Sequence, residues 1–583
     1  MSTAGVASLL ALPVAIPLAG AIAAPLLARV HRRLPLVVSI VAMLGSASVL
    51  LLIAAQVYAG HGRIVSHFFG NWGPVQARAL GIAFAADPFG LAFALITAVL
   101  GALLLIYILS ELGDLGAREL GGLACLCQLL LAALIGSALT ADTINLFVWF
   151  EVAALASYGL TAFFLERPIA LEAAFKVLVL TSIAGFLVFI GDALLYSDRG
   201  ALNFGQLHNT LTGRLNAPEL LAVGLLIAGF ATKAGLIPFH AWLPDAHTAP
   251  PGAVSALFSA LMVDLGVVGI VRMVLLVFAG HGHALGLVMV LGVISAILGA
   301  VLALAQDDLK RLLAWDTVSQ VGILMIGFAT ASAAGVAGAV YHLLNHALFK
   351  ALLFLCAGTI VHAAGETQLS KMGGLARHRP LITTGFTVGV LAIAGIPPLN
   401  GYASLGLIHK SLQNSHQWVV LAAALLAQVV TIAALARAAW LAFYRSRDEA
   451  YEHLEPSRPG MRFTLIALGA GCLAFGTLPV IVIRRVVAPA AGLLLHPDLY
   501  SSGILAGHAS LPSVTVAYSY LDPVDLAITA GTLLLGLGLA ALYVRCPEPA
   551  PITVLRRVQS GSVNDYAAFS TVGVITCVTA LLL

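Results

Sequence analysis

Long apolar stretches alternate with short polar connections along almost the whole chain. Each stretch has the length of about 20 residues that a helix needs to cross the hydrocarbon core of a bilayer. Lipid cannot hydrogen-bond to backbone N–H and C=O groups, so each crossing segment must satisfy its own, and the pattern predicts an all-α polytopic membrane protein. The sixteen predicted spans are approximately 6–27, 35–58, 84–110, 120–140, 143–164, 173–197, 219–241, 253–279, 285–305, 312–332, 335–362, 381–404, 417–444, 462–486, 524–545 and 566–583.

The spans fall into four predicted regions. Residues 1–118 hold spans 1–3, residues 119–280 spans 4–8, residues 281–446 spans 9–13, and residues 447–583 the last three. Within the last region the proline-containing stretch 487–523 predicts an extramembrane loop, because proline disfavours regular helix.

Two spans are interrupted in the same way. The seventh contains Ala234-Gly235-Leu236-Ile237-Pro238, and the twelfth contains Ala394-Gly395-Ile396-Pro397-Pro398. Broken helices at corresponding positions are typical of inverted repeats with a transport site near the break. Because the breaks lie five spans apart, spans 4–8 and 9–13 would be repeats of opposite topology, with Pro238 and Pro397 in equivalent places. The alternative is two ordinary proline kinks.

Composition and loop charge support the membrane assignment and suggest its orientation. Hydrophobic residues make up 60% of the 583 residues and charged residues 9%, against about 25% charged residues in soluble domains. Arginine and lysine concentrate in the loops after spans 1, 9, 11 and 13. By the positive-inside rule these loops are cytoplasmic and the N-terminus lies outside.

A few charged residues stand inside the apolar spans, where a charge is costly and marks a functional site. Burial of an acid, a lysine and histidines together is what a proton relay requires. His342, His346 and Lys350 lie at i, i+4 and i+8 and therefore share one stripe of a helix. The candidate pathway residues are Glu151, Lys233, Asp264, His342, His346 and Lys350.

Each candidate has a structural alternative. Glu151 and Lys233 could form one buried ion pair, and the histidines could be packing residues. Lys176 and Asp192 could be a branch of the relay or a local pair. We expect Asp264 to contact Lys233, Lys350 or a water chain leading to one of them, because a buried carboxylate needs a partner. Two further arginines, Arg272 and Arg437, are predicted to snorkel to the membrane surface from span ends.

Other functional classes find little support in the sequence. There is no basic patch with interleaved aromatic residues, so nucleic acid is not expected. There is no Cys-x-x-Cys pair, Gly-rich phosphate loop or nucleophile elbow, so no metal, cofactor or catalytic centre is expected.

Several long motifs occur in a characteristic order between about residues 80 and 445. They are Lys233-Ala-Gly-Leu-Ile-Pro-Phe-His240-Ala-Trp-Leu-Pro-Asp245-Ala-His247, Gln306-Asp-Asp-Leu-Lys310-Arg followed by Ser319-Gln320, Asn345-His346-Ala-Leu-Phe-Lys350, and Gly395-Ile-Pro-Pro-Leu-Asn-Gly401. These segments resemble the antiporter-like subunits shared by respiratory complex I, D-type Mrp cation/proton antiporters and membrane-bound hydrogenases.

The resemblance implies a 14-helix core with inverted five-helix repeats, here with about two additional C-terminal helices. It implies a hydrophilic axis through Glu151, Lys233, the eighth span, His346 and the twelfth span, with His240 and Lys410 as further candidates. Two positions depart from the family pattern. Asp264 stands where relatives often have lysine, and Leu405 where they have lysine or glutamate.

The sequence therefore predicts a proton- or cation-translocating subunit of a larger redox-driven or Mrp-type complex in the cell inner membrane. Its partners would be other membrane subunits, lipid, and protons or Na⁺. One alternative is a non-conducting structural subunit of the same fold, and another is a stand-alone solute transporter. Whether the complex is an oxidoreductase or an antiporter stays open.

Overall fold

The computed structural model describes residues 3–58, 64–76, 78–211, 213–446, 457–507, 514–545 and 561–582. Among these residues, fifteen helices are long and apolar enough to cross a membrane. An antiparallel strand pair, β1 (Val65–Phe68) and β2 (Ala83–Ala86), precedes the third helix. Short helices Phe204–Thr210, Leu243–Thr248 and Leu375–His378 and 3₁₀ turns Phe69–Asn71 and Leu369–Lys371 lie in connections.

The long helices follow the predicted spans closely. The first eleven are α1 Gly5–Leu27, α2 Leu34–Tyr58, α3 Pro88–Leu112, α4 Ala117–Leu139, α5 Thr143–Thr161, α6 Pro168–Arg199, α7 Ala217–Ala234, α8 Gly252–Val277, α9 Gly282–Leu304, α10 Leu309–Ala329 and α11 Ala333–Val361. The remaining helices are α12 Pro380–Ile393, α13 Gly401–Asn414, α14 Trp418–Tyr444, α15 Pro459–Thr477, α16 Pro479–Leu495, α17 Pro497–Leu505, α18 Pro523–Arg545 and α19 Val563–Leu582. Helices α12 and α13 together form the broken twelfth span.

Part of the predicted extramembrane loop at 487–523 is helical. Helices α16 and α17 occupy this stretch and meet at a bend of 91°. Pro497 begins α17, a first-turn position where the missing N–H of proline costs nothing. Residues 508–513, including His508 and Pro512, lie outside the described residues.

Loops predicted to share a side of the membrane contact one another. On one face, Arg33 and Arg458 both pair with Asp114, and Arg445 donates to the Ser370 carbonyl over 2.6 Å. Hydrogen bonds from Arg458 and Arg33 hold the pKa of Asp114 below its usual range. We call this side the arginine-rich face.

The opposite face collects the other set of connections. His208 Nε2 lies 2.8 Å from Asp498 Oδ1, and the Ala79 N–H donates to Gln206 Oε1 over 2.9 Å. Asp498 belongs to α17, so the bent pair of helices ends on this face. Helix α15 begins just after Arg458 on the arginine-rich face, whereas residues 515–517, which precede α18, share a cleft with Ser332 and Lys410 of the opposite face.

Both helix breaks have the same backbone geometry. At each break a glycine has positive φ, +76° at Gly235 and +71° at Gly395, a conformation that favours glycine. The backbone hydrogen bonds around the two breaks correspond at an offset of 160 residues. At the first break they run from Gly235 N to Thr232 O, Leu236 N to Ala231 O and Phe239 N to Leu236 O. At the second break they run from Gly395 N to Ala392 O, Ile396 N to Leu391 O and Leu399 N to Ile396 O.

This register pairs Pro238 with Pro398, which corrects the expected match to Pro397 by one residue. Side chains of neighbouring helices satisfy polar groups that the breaks release. Ser295 of α9 accepts from the Ile237 N–H, and Gln428 of α14 donates to the Ala394 carbonyl. The superposition of the two whole five-span units stays a prediction.

The two snorkelling arginines are both turned inward, contrary to expectation. Arg272 is fully buried and donates to Asp87 Oδ2 (2.8 Å), the Ala138 carbonyl (2.7 Å) and the Tyr500 hydroxyl (3.3 Å). It thereby joins α3, α4 and α17 to α8. Arg437 is also buried and donates to the carbonyls of Leu304 and Gln306. Backbone carbonyls at helix ends supplied acceptors inside the protein that sequence periodicity does not reveal.

The last two helices pack beside the two breaks. Helix α19 packs on α7 and α9, and α18 packs on α14. Gly573 of α19 faces Pro238 and Phe239 at the first break. Each broken span therefore has one C-terminal helix against it.

Candidate functional site

Glu151 and Lys233 lie near each other but do not form a direct ion pair. Lys233 is fully buried on the last turn of α7, with its Nζ atom 5.4 Å from the centroid of the Phe150 ring. Its ammonium group has no hydrogen-bond partner among the described residues. Glu151 is partly buried on α5 and interacts with Lys233 electrostatically. Its carboxylate fits against Gly185 of α6, where a side chain would occupy the same space.

Asp264 has a different partner from the one expected. It is fully buried on α8, and its Oδ1 lies 3.4 Å from His346 Nδ1 on α11. Neither Lys233 nor Lys350 is in contact with it in the described structure, so the expected aspartate–lysine contact is not observed. A π-helical turn, Phe258–Met262, lies just before Asp264 in the chain, and such turns are frequent at functional sites.

Lys350 instead begins a continuous hydrogen-bonded chain across three helices. Its Nζ lies 2.5 Å from Asp316 Oδ2 on α10. Gln320, one turn further along α10, donates to Asp316 Oδ1 over 3.5 Å, and His342 Nε2 lies 3.1 Å from Gln320 Oε1. His342 Nδ1 lies 3.0 Å from Ser404 Oγ on α13. All five side chains are buried, so the chain leads from the centre of the second unit to its break.

A second group of buried polar side chains approaches Lys350 from the arginine-rich face. His247 is fully buried, bonds the Leu243 carbonyl through Nδ1, and interacts electrostatically with Lys310, Lys350 and His346. Lys310 donates to the Pro250 carbonyl (2.6 Å) and to Ser255 (3.2 Å). Glu111 of α3 interacts electrostatically with Lys310.

Asp316, His247, Lys310 and Glu111 were not among the predicted pathway residues. Asp316 could have been found, because it is a charged residue inside an apolar span and meets the criterion that selected the others. His247 and Lys310 stood in the quoted motifs, but nothing in their spacing placed them beside Lys350.

Lys176 and Asp192 do not form the local pair considered for them. Lys176 lies 2.7 Å from Glu172 and 2.9 Å from Asp245, which also pairs with Arg311 at 2.7 Å. Asp192 is buried elsewhere, beside Asp142. The two residues are sixteen apart on one helix, so they lie more than four turns from each other.

His240 lines a cavity at the first break, which we call the first cavity. Its ring centroid lies 4.9 Å from that of Trp315. The cavity has a volume of about 190 Å³, and its lining includes Asp245 and the partly exposed Arg311. Tyr566 and Phe569 of α19 form one of its walls.

The position of Leu405 is part of a smaller cavity at the second break, the second cavity. It is lined by Gly395, Tyr402, Leu405, Gly406, His409, Gln428, Asp525 and Thr529. Lys410 points away from it, into a wider cleft that it shares with Ser332 and Thr515. Lys410 therefore does not take part in the buried hydrogen-bonded chain.

The arrangement is a line of groups that can gain, lose or hold protons inside an apolar protein. Lysine, histidine and carboxylate side chains can each exchange a proton, whereas the Gln320 amide orients its neighbours. Gln320 Oε1 accepts from His342 Nε2, which leaves His342 Nδ1 to exchange a hydrogen bond with Ser404. Among the described residues no three His, Cys, Asp or Glu side chains converge as metal ligands.

The part of the chain that holds most of these buried charged residues matches a known protein family. Residues 140–431 match the family described as NADH:quinone oxidoreductase/Mrp antiporter, TM. The chain is 31% identical to the D-type component of the Na⁺/H⁺ antiporter of Alkalihalophilus pseudofirmus, over 82% of this chain and 95% of that protein. It is 30% identical to the N-type component of the NADH-quinone oxidoreductase of Desulforudis audaxviator, over 72% of this chain and 82% of the relative.

A solved structure has the same fold. A chain of the membrane-bound sulfane sulfur reductase, an archaeal respiratory membrane complex, superposes with a TM-score of 0.78. Its sequence is 26% identical, and the match covers 85% of this chain and 99% of that chain.

Proposed function

We propose that this chain, which belongs to the NADH:quinone oxidoreductase/Mrp antiporter transmembrane family, translocates protons or cations as one subunit of a larger membrane complex. Relatives named as components of an antiporter and of a quinone oxidoreductase support assembly with other membrane subunits. The chain is a multi-pass membrane protein, and we place it in the plasma membrane with the arginine-rich face in the cytoplasm and the N-terminus outside.

The observation that carries this proposal is the buried chain from Lys350 through Asp316, Gln320 and His342 to Ser404. Burying an ion pair is costly, and a purely structural helix contact would be made at lower cost by apolar side chains. Ion transfer through a protein interior instead requires a line of side chains that can exchange protons, and here this line ends at a helix break.

We assign the proton-exchanging roles to the charged members of the line. Glu151 and Lys233 serve the first unit, Asp264 and His346 join the two units, and Lys350, Asp316 and His342 serve the second. Lys350 can pass a proton to Asp316 directly, because the two groups are in hydrogen-bond contact. His342 changes its charge near neutral pH in water, and Gln320 holds its ring in place for exchange with Ser404.

The test is translocation by the intact complex, purified through a tag on this chain and reconstituted in sealed vesicles. Glu151→Gln and Lys233→Ala should each lower the rate of pH change inside the vesicles by about a hundredfold or more, the scale expected for loss of a proton-transferring group. Glu119→Gln and Lys371→Ala, at exposed positions, are the matched controls. Subunit composition of each preparation is compared on gels.

Unchanged translocation in both Glu151→Gln and Lys233→Ala, with normal assembly, would overturn the proposal in favour of a non-conducting structural subunit. Purification of the chain without any partner subunit would favour the solute transporter.

A further inference from the structure

A carboxylate from outside the family-matched region reaches the second break. Asp525 lies on the first turn of α18, beyond the matched residues 140–431. Its side chain is directed at α13, where Oδ2 lies 3.1 Å from the place that a Cβ atom of Gly406 would occupy. The absence of a side chain at Gly406 lets the carboxylate approach the backbone of the broken span.

Asp525 shares the second cavity with a buried histidine. The cavity has a volume of about 10 Å³, roughly what one water molecule needs. His409 is buried at its inner side and interacts electrostatically with His342, the last ring of the hydrogen-bonded chain. Leu405, also in the lining, offers no group that could exchange a proton.

The other side of Asp525 faces the membrane surface. Its carboxylate is partly exposed and interacts electrostatically with Asp522 and with Lys410, which lines the wider surface cleft. Asp525 therefore lies between a buried imidazole and water. It is the acidic residue of the second cavity lining.

We propose that Asp525 is the residue through which the second unit exchanges protons with water at the opposite face. A proton held on His409 passes to the Asp525 carboxylate, directly or through one water molecule in the cavity. The resulting carboxylic acid then releases the proton to the surface cleft beside Lys410. Helix α18 thus supplies to the second cavity the charged group that Leu405 does not provide. This inference rests on the proposed translocation.

The experiment compares carboxylate variants in the reconstituted complex. Asp525→Asn should lower the translocation rate about tenfold, which is less than the roughly hundredfold or more that a proton-transferring group contributes, because water can substitute in part. Asp525→Glu should keep most of the rate. Asp522→Asn is the matched control, since Asp522 is a neighbouring carboxylate that caps α18 through the Val524 N–H and does not line the cavity; asparagine preserves such a cap.

A compensating variant makes the test independent of how well Asp525→Asn folds. Leu405 lines the same cavity from α13, so Leu405→Glu added to Asp525→Asn should restore translocation by several fold. Restoration would show that a carboxylate in this cavity, supplied by either helix, is what matters.

Glu151→Gln, measured in parallel, separates the possible failures. If Glu151→Gln is slow but Asp525→Asn runs at the parent rate, the role of Asp525 is wrong and the proposed function stands. If Glu151→Gln, Lys233→Ala and Asp525→Asn all run at the parent rate, the proposed function is wrong as well. If Asp522→Asn slows translocation as much as Asp525→Asn, the effect is one of surface charge and the inference fails.

Discussion

At the scale of single residues, the ion pair between Lys350 and Asp316 is the shortest contact in the line. Both side chains are buried, and the two groups are 2.5 Å apart. Removing one partner leaves an uncompensated buried charge, which typically costs about 3–5 kcal/mol. Asp316→Ala should therefore lower the thermal unfolding temperature of the complex as well as its translocation rate.

A double-variant cycle distinguishes the pair from two independent residues. Asp316→Ala combined with Lys350→Met should cost less than the sum of the two single changes, with a coupling of about 1–3 kcal/mol. Asp565→Ala, at an exposed position of α19, serves as the control for loss of an aspartate. Additive effects would contradict the pair that the structure contains.

Asp264 leads to a prediction about its replacement by lysine. The family resemblance alone would favour Asp264→Lys, because relatives often have lysine at this position. Because Asp264 lies 3.4 Å from His346 and His346 interacts with Lys350, a lysine here would place a second buried ammonium group close to Lys350 and leave it without an acidic partner of its own. We expect Asp264→Lys to reduce assembly of the complex more than Asp264→Asn does, measured as co-purified partner subunits per tagged chain. Equal yields would contradict this interpretation.

The sequence identified which residues are buried charges but not which ones pair. Apolar spans make any charge conspicuous, so Glu151, Lys233, Asp264 and Lys350 could be selected without a structure. Pairing depends on how helices rotate against each other, and periodicity within one helix does not encode this. That is why Asp316, rather than Asp264, proved to be the partner of Lys350.

At the scale of helices, some glycines face a flexible side chain and others face the backbone of a neighbouring helix. Substitution by alanine should therefore affect translocation in the first case and stability in the second. At Gly185 an added Cβ would meet the flexible Glu151 side chain, which can move. At Gly358 it would lie 2.6 Å from the Gly252 Cα atom, so α8 and α11 would have to separate. Gly185→Ala should therefore impair translocation with little change in stability, whereas Gly358→Ala should destabilise the fold by about 1–3 kcal/mol.

Thermal unfolding and translocation of both glycine variants provide the comparison. A stable Gly358→Ala variant with a raised or unchanged unfolding temperature would show that the two helices can separate freely. Gly122→Ala is a suitable control, because an added Cβ there meets no atom within 4 Å.

Span positions were predictable because hydropathy and length fix them, while the bent pair α16–α17 was not. Pro479 and Pro497 stand at first turns, and Pro489 follows a π-helical stretch inside α16. Prolines at such positions are compatible with helix, but in a sequence the same residues also indicate loops. The breaks at Gly235 and Gly395 were visible as glycine–proline patterns, whereas their shared hydrogen-bond register became visible only in the folded chain.

At the scale of the whole molecule, each of the two C-terminal helices lines the cavity at one helix break, and the two cavities lie towards opposite faces. Helix α19 supplies Tyr566 to the first cavity, whose lining includes the partly exposed Arg311 on the side of the arginine-rich face. Helix α18 supplies Asp525 to the second cavity, beside the surface cleft of the opposite face. Each cavity thus combines a histidine, an aspartate and a tyrosine from a break and its covering helix. A path between the two cavities would cross the membrane.

Cysteine labelling tests this two-faced arrangement directly. Arg311→Cys and Asp525→Cys place a thiol at each cavity, at positions whose native side chains are partly exposed. A membrane-impermeant thiol reagent added outside intact cells should modify the chain carrying Asp525→Cys and leave the chain carrying Arg311→Cys unmodified. In inverted membrane vesicles the result should be the reverse, because the arginine-rich face is expected in the cytoplasm. The parent chain gives the background from its own cysteines, most of which are buried. Modification of both variants from the same side would mean that the cavities do not open to opposite faces, and a path through the buried charges would then not lead across the membrane.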